Sequence, residues 1–208
     1  MATKSLTNFN YSFVTYDRDS NIKVKLFKIY KNMGSYKYTN IMEYLPKRYA
    51  ATPQQERERR TIYNFKDGYC SQELKDQLIE KINFIKSTNP NGQWRVCFIP
   101  ASSHLKTIRR YRDIASYIER KTSCSCDIDT ITTNEDRESG YLSGKRNNPA
   151  ENFTVNRTEV SNQNIILIDD IITRGNTFVY TADKLVNNGA KNVIGLFVAK
   201  TINPDWVA

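Results

Sequence analysis

The 208-residue sequence has one histidine, His104, two tryptophans and four cysteines. Each scarcity closes off a chemistry. Cys70, Cys97, Cys124 and Cys126 fall at irregular spacing that makes no disulfide framework. Cys124-Ser125-Cys126 has no second pair at zinc-ligand distance, and a lone histidine does not supply one, so a structural zinc site is not expected. No charged-then-apolar leader opens the chain, and no apolar run approaches the roughly 18 residues of a membrane span. Secretion and membrane spanning are disfavoured, and the reduced cytoplasm is the expected location. Internal repeats and low-complexity tracts are absent as well.

What is present suits one compact domain or a domain with an elaborated flank. Hydrophobic residues make up 39% of the chain, enough for a real core, and the formal net charge is +9. That charge is concentrated. Residues 1–66 hold 13 Lys/Arg against 5 Asp/Glu, a net of +8, together with 8 of the 13 tyrosines. A basic, aromatic-rich segment is a candidate nucleic-acid or protein surface. A solvated basic face over a small tyrosine core fits the same residues equally well.

Tyr11–Tyr16 and Ile22–Tyr30 read as strands joined by the Asp17–Asn21 turn, a hairpin in the basic extension. Asn40–Arg48 reads as a short helix stopped near Pro46, and Gln54–Arg60 as an exposed helical turn or loop. Leu74, Leu78, Ile82 and Ile85 recur at helical spacing, which predicts a helix over Ser71–Lys86. Pro90-Asn91-Gly92 breaks it. From there the pattern is strand, loop, helix. Arg95–Ile99 is a buried-type strand, and Ser102 or Ser103 caps the helix after it. Leu105, Ile108, Tyr111, Ala115 and Ile118 form that helix's apolar stripe, with Lys106, Arg109, Arg110 and Arg112 read as a solvated face or, less favoured, a surface for a polyanion. Cys126–Thr132 is a second strand. Residues 134–152 are a long polar loop, of the kind that is functional or disordered. Asn164–Ile168 is a third strand, a helix carries Phe178, Val179, Ala182, Leu185 and Val186, and Val193–Val198 is the last strand. Alternating strands and helices imply a parallel α/β sheet.

The chemistry gathers in "IILIDDIITRGNT", Ile165 to Thr177. Loops at the carboxyl ends of parallel strands are where such sheets bind ligands, and a helix amino terminus presents free N–H groups to an anion. Gly175 lets the backbone approach closely, while Thr173 and Thr177 add hydroxyls, so the loop reads as a phosphate cradle. Asp169 and Asp170 would repel a phosphate unless they face something else. Sugar hydroxyls and hydrated Mg²⁺ are the natural partners. Together these features spell a ribose phosphate.

This stretch resembles the phosphoribosyl-pyrophosphate (PRPP) signature of type I phosphoribosyltransferases. Four apolar residues, two acids, two apolar residues and a small-residue loop ending in Gly-x-Thr follow in order. "VCFIPASSHLKTIRRYRDIASYIE" resembles that family's first core strand, pyrophosphate loop and first helix. "IYNFKDG" and "SGKRNNPAENFTV" resemble segments of its ComF-like group. The resemblance spans about residues 62–200. It implies a Rossmann-like parallel core over residues 62–208, with residues 1–61 as a basic extension or hood. It implies that Asp169 and Asp170 hold the ribose hydroxyls, directly or through Mg²⁺, and that Thr173, Arg174, Gly175, Asn176 and Thr177 bind the 5′-phosphate. Ala101, Ser102, Ser103 and Lys145 would meet pyrophosphate, with Arg146 also reaching the departing charge as the 134–152 loop closes.

Lys200 and Trp206 follow the last strand, where related enzymes recognise a base; packing on the core is the preferred reading for Trp206. His104 reads as solvated. Arg174 stands where Thr is commoner, and it either adds a phosphate contact or crowds the cradle. The acid that serves the purine base in the hypoxanthine-type enzymes is replaced by Thr173, and the cysteine module of ComF-like proteins is missing. The expectation is a Mg²⁺- and PRPP-dependent transferase acting on a nitrogen acceptor that the sequence does not identify, in an oligomeric state it does not specify. Its rival is a binding or regulatory module of the same fold, or a nucleic-acid-associated effector in DNA uptake or in a defence or toxin role, held through residues 1–66.

Overall fold

A computed structural model describes residues 12–16, 22–26, 31–133 and 149–203. The chain forms two compact units, Met1–Lys31 and Asn32–Ala208. In the first, β1 (Ser12–Tyr16) pairs antiparallel with β2 (Ile22–Leu26), with Val14 opposite Val24. The turn expected at 17–21 lies outside the described residues.

The second unit is built on a six-stranded sheet. Its order is β3 (Lys31–Met33), β4 (Tyr36–Tyr44), β10 (Asn192–Thr201), β9 (Asn164–Ile172), β5 (Trp94–Phe98) and β6 (Ser125–Cys126). From β4 to β6 every pairing is parallel, so the expected parallel α/β architecture is present. The central strand β9 reads Asn-Ile-Ile-Leu-Ile before its acids, and Ile165 to Ile168 are all fully buried. A strand buried on both faces reads as a continuous apolar run. Beyond the short α4 (Arg157–Val160) that precedes the strand, Ile165 and Leu167 pack in one cluster with Phe178, Ala182 and Leu185 of α5 (Asn176–Asn187). Successive side chains leave a strand on opposite faces, so Ile166 and Ile168 point the other way. There the apolar stripes of α1 (Pro53–Lys66), α2 (Gln72–Ser87) and α3 (His104–Thr122) provide the cover, with Ile62, Phe65, Leu78, Ile82, Tyr111 and Ile118 all buried.

Three segments differ from the sequence expectation. Asn40–Arg48 is not a helix: Tyr36–Tyr44 is β4, hydrogen-bonded alongside β10. Tyr, Thr and Ile suit a pleated surface, and Tyr38 supplies the buried ring that meets Phe178 and Phe197 edge-on. Pro46 follows a strand, not a helix. Gln54–Arg60 belongs to the full helix α1, begun by a Thr52/Gln55 capping box with Pro53 in its first turn. Within that charge run Arg59 is buried, and its guanidinium donates to the carbonyls of Leu45, Pro46 and Tyr49 at 2.7–2.9 Å. Cys126–Thr132 is two strands. Ser125–Cys126 ends the main sheet, an Asp127 side chain accepts from the Asp129 N–H at 2.9 Å, and β7 (Ile131–Thr133) pairs antiparallel with β8 (Phe153–Val155) in a separate ribbon.

In α3 the buried stripe is Thr107, Tyr111, Ile114, Ala115, Ile118 and Thr122, whereas Leu105 is 78% exposed. At 100° per residue, position 105 lies on the face opposite the 107–111–118 stripe, so Leu105 does not reach the core. Of the expected 134–152 loop, only Pro149–Asn152 is described, as one 3₁₀ turn leading into β8. No helix among the described residues is long and apolar enough to cross a membrane.

Candidate active site

Strands β5 and β9 run side by side in parallel, so both carboxyl ends emerge on one edge of the sheet. The Ile99 N–H bonds to the Ile168 carbonyl at 2.9 Å and extends the pairing to the first acid. This edge gathers Ala101–Ser103, Asp169–Asp170 and Thr173–Thr177. Strand β10 adds Lys200 from the other side, where its ammonium donates to the Thr173 carbonyl at 2.7 Å and the Thr201 hydroxyl lies 3.3 Å from that of Thr173.

Residues Thr173 to Thr177 line a cavity of about 270 Å³ with Asp169, Ile99, Phe178 and Phe197. Gly175 stands at the amino end of α5 with φ +78, and no side chain caps that end. A Cβ there would come 2.5 Å from the Met33 side chain, so both the left-handed backbone and the space require glycine. The first-turn N–H groups of α5 thus keep the free donors and partial positive charge that suit an anion. Arg174 is exposed on the cavity rim and has no hydrogen-bond or ion-pair partner among the described residues. It places a cation on the rim of the cavity.

The acid end is arranged differently. Asp169 Oδ1 accepts from the Tyr111 hydroxyl at 3.1 Å and from the Asp170 N–H at 2.8 Å. Asp170 Oδ2 accepts from Arg110 Nη1 at 2.6 Å, and its Oδ1 lies 3.8 Å from Lys66 Nζ. The same Arg110 nitrogen is 3.9 Å from Asp169. Arg110 Nε donates to the Lys66 carbonyl at 3.3 Å, which fixes the guanidinium plane. Burial, and then the charge of Asp170, pushes the Asp169 carboxyl up to about 7 despite these partners. Burial works against the Arg110 charge, but Tyr111 and Asp170 beside it outweigh that and hold its pKa above the ordinary value. Tyr111, stacked on Phe98 with ring centroids 4.5 Å apart, is pushed well up by burial and by Asp169.

Arg110, Lys66 and Tyr111 are the site residues that the sequence reading missed. Arg110 was expected on the solvated face, yet its side chain is 15% exposed and ion-paired. The available signal was its place beside Tyr111 on the buried stripe. Lys66 was visible within "NFKDG" but had no assigned role.

At the third loop, Ser103 rather than Ser102 caps α3, accepting from the Lys106 N–H at 3.3 Å. The Ala101 N–H is occupied by the Thr107 hydroxyl at 3.0 Å, and Ser102 is met by Lys106 Nζ at 3.2 Å. Lys145, Arg146 and Trp206 lie outside the described residues. His104 is exposed, 3.9 Å from Asp129. No group of three or more His, Cys, Asp or Glu side chains gathers as a metal site among the described residues. The one carboxylate lining the cavity fits Mg²⁺ only when a ligand's own oxygens complete the coordination, the usual arrangement for a magnesium–phosphate complex.

Solved structures similar to this chain include phosphoribosyltransferases. One is a hypoxanthine-guanine phosphoribosyltransferase from Bacillus anthracis, 18% identical over 71% of this chain and 70% of that chain, with a TM-score of 0.36. The hypoxanthine phosphoribosyltransferases of Trypanosoma cruzi (10% identity, 70% and 76% covered, TM-score 0.38) and Staphylococcus aureus (14%, 70% and 75%, 0.35) are similar to the same extent. No protein-family model and no curated protein matches the chain.

Proposed function

We propose that this chain is a type I phosphoribosyltransferase that binds PRPP with Mg²⁺ and transfers ribose 5-phosphate to a nitrogen acceptor, releasing pyrophosphate. The observation that carries this reading is the pairing, around one cavity, of an uncapped helix amino terminus with a carboxylate at the end of the central strand. The two ends suit the two ends of a ribose 5-phosphate. The Thr173–Thr177 loop takes the 5′-phosphate through its N–H groups, its hydroxyls and Arg174. The acid end takes the ribose hydroxyls, whose protons a carboxylate accepts as hydrogen bonds.

Asp169 is the residue that would hold Mg²⁺ alongside PRPP oxygens, and the ion supplies charge neutralisation for the leaving pyrophosphate. Ala101–Ser103, Lys145 and Arg146 are the residues assigned to that step in this reading. The Ala101 N–H must leave Thr107 before it can meet a phosphate. Lys200 belongs to the acceptor side in this reading, released from the Thr173 carbonyl as the acceptor arrives. The likeness to ComF-like proteins, carried by Ile62–Gly68 and Ser143–Val155, is part of this proposal; Lys66 in the first segment lies 3.8 Å from Asp170.

Calorimetry with PRPP and Mg²⁺ tests the reading. One PRPP per chain is expected, with affinity lost in Asp169→Asn; absence of binding overturns it. A screen for pyrophosphate release against nucleobases, other amines and nucleic acid then identifies the acceptor. A second reading, a binding module tethered to nucleic acid, is favoured by the +8 charge and the tyrosines of residues 1–66. Removing residues 1–30, short of β3, takes away 5 of the 13 Lys/Arg of that segment and should then weaken low-salt retention on nucleic acid; unchanged retention counts against it.

A further inference from the structure

The four oxygens of the Asp169–Asp170 pair are not equivalent. Asp170 has both of its oxygens matched to cations, Oδ2 to Arg110 at 2.6 Å and Oδ1 to Lys66 at 3.8 Å. Asp169 Oδ1 receives two hydrogen bonds, from Tyr111 and from the Asp170 N–H. Asp169 Oδ2 receives none among the described residues. Asp169 lines the cavity and Asp170 does not. A doubled acid of this kind is ordinarily a place where a divalent cation settles, because two adjacent carboxylates repel each other until a cation joins them. Here a cation is already built in. One Arg110 nitrogen lies within 3.9 Å of both carboxylates, and its side chain is only 15% exposed, so the interaction is weakly screened.

We propose that the two acids do separate jobs: Asp169 presents the single open oxygen to the ligand, while Arg110, backed by Lys66, is a positioning residue that holds Asp170 and keeps bare divalent cations off the pair. A metal ion then enters only with a phosphate ligand that brings its own oxygens and negative charge. Asp170 acts through Arg110 and through its main-chain N–H, which fixes the rotamer of Asp169. The identity of that ligand rests on the transferase reading, whereas the exclusion of the bare ion does not.

Manganese(II), followed by electron paramagnetic resonance in the full-length chain without PRPP, is the first test. Wild-type protein is expected to show no site at the acid pair. Arg110→Gln is expected to gain one, with a dissociation constant at least about tenfold below the highest manganese concentration at which the wild type stays empty, since a fixed positive charge some 4 Å away has been removed. Asp169→Asn placed on top of Arg110→Gln should abolish the gained site. Arg110→Lys, which keeps the charge, should exclude the ion as the wild type does, and Lys66→Gln, at the more exposed position, should gain a weaker site. This last variant serves if Arg110→Gln does not fold, as judged by circular dichroism. The second test is PRPP affinity in the presence of Mg²⁺: Asp169→Asn should lose about a hundredfold and Asp170→Asn less than about tenfold. A wild-type chain that binds manganese at the pair as tightly as Arg110→Gln overturns the proposal, as do equal losses in the two Asp→Asn variants. Failure of every chain to bind PRPP refutes the transferase reading and leaves the manganese result to decide this one.

Discussion

Two loops leave the same edge of the sheet and each begins a helix, yet they spend their polar groups in opposite ways. At the start of α3, Ser103 caps the Lys106 N–H, Thr107 takes the Ala101 N–H and returns its hydroxyl to the Ser103 carbonyl, and Lys106 covers Ser102. At the start of α5, Gly175 supplies no cap, Arg174 has no partner among the described residues, and the donors face a cavity. Side-chain caps contribute about 1 kcal/mol each, so an uncapped helix end forgoes stability. The closed loop belongs to the fold in its present state. The open one leaves its donors unspent.

The comparison is broken most forcefully at Gly175. Gly175→Val places a β-branched residue at φ +78 and against Met33. We expect a loss of about 2–4 kcal/mol in urea unfolding and no measurable PRPP binding. A variant as stable as the wild type would show that the open loop needs neither the glycine nor its close approach. Thr107→Val is the matching change at the closed loop. It leaves the Ala101 N–H without its partner and should cost about 1–3 kcal/mol of stability while leaving affinity for inorganic phosphate at the α5 loop unchanged. A phosphate affinity that drops with it would mean that the two loops are coupled.

Arg174→Ala sharpens the contrast from the ligand's side. It should weaken PRPP binding about tenfold and change stability by less than about 0.5 kcal/mol; calorimetry and thermal melting read the two separately. The gentlest test uses pH. The Asp169 carboxyl lies near 3.8 in the unfolded chain and is raised to about 7 in the fold. A raised carboxyl favours the neutral form in the native state. Its contribution is therefore fully present below about pH 4 and is lost as pH rises through about 7. The stability of the wild type relative to Asp169→Asn should fall between pH 4.5 and pH 7.5. A difference that stays constant, or rises, would mean that Asp169 is not raised in the fold.

The parts of the site that lie along one stretch of chain were legible in the sequence. Asn164–Ile168 announces itself as a doubly buried strand, although β9 runs on through the acids to Ile172, and Gly175 with its flanking threonines announces the start of a helix. The parts assembled across the chain were not. Arg110 and Asp170 are 60 residues apart, and no apolar pattern alone says which of the α3 bases turns inward. The period of the buried stripe does contain that information once Thr107 is allowed as a core residue; weighting only apolar side chains moved the stripe onto Leu105. Strand β4 was hidden for a related reason. Its burial does not alternate cleanly, because it lies between β3 and β10 and meets different neighbours along its length. Arg59 was lost because a buried guanidinium that serves three carbonyls looks, in a charge run, like any other exposed base.

Strand β9 is hydrogen-bonded along both sides, to β5 and to β10, and it carries the acids at its end. Mechanically it is a beam clamped along both flanks, with β10 holding it as far as Ile172. Neither a residue inserted upstream nor a ligand pressing on the tip is relieved by sliding the strand, since a slip of one position would exchange the faces of all its side chains and turn Asp169 away from the cavity. Load on the site is instead taken up beyond Ile172, in three residues ending at Gly175. The chain can therefore vary its loop, and with it whatever the loop grips, against a fixed ruler that keeps Asp169 at a constant height above the sheet.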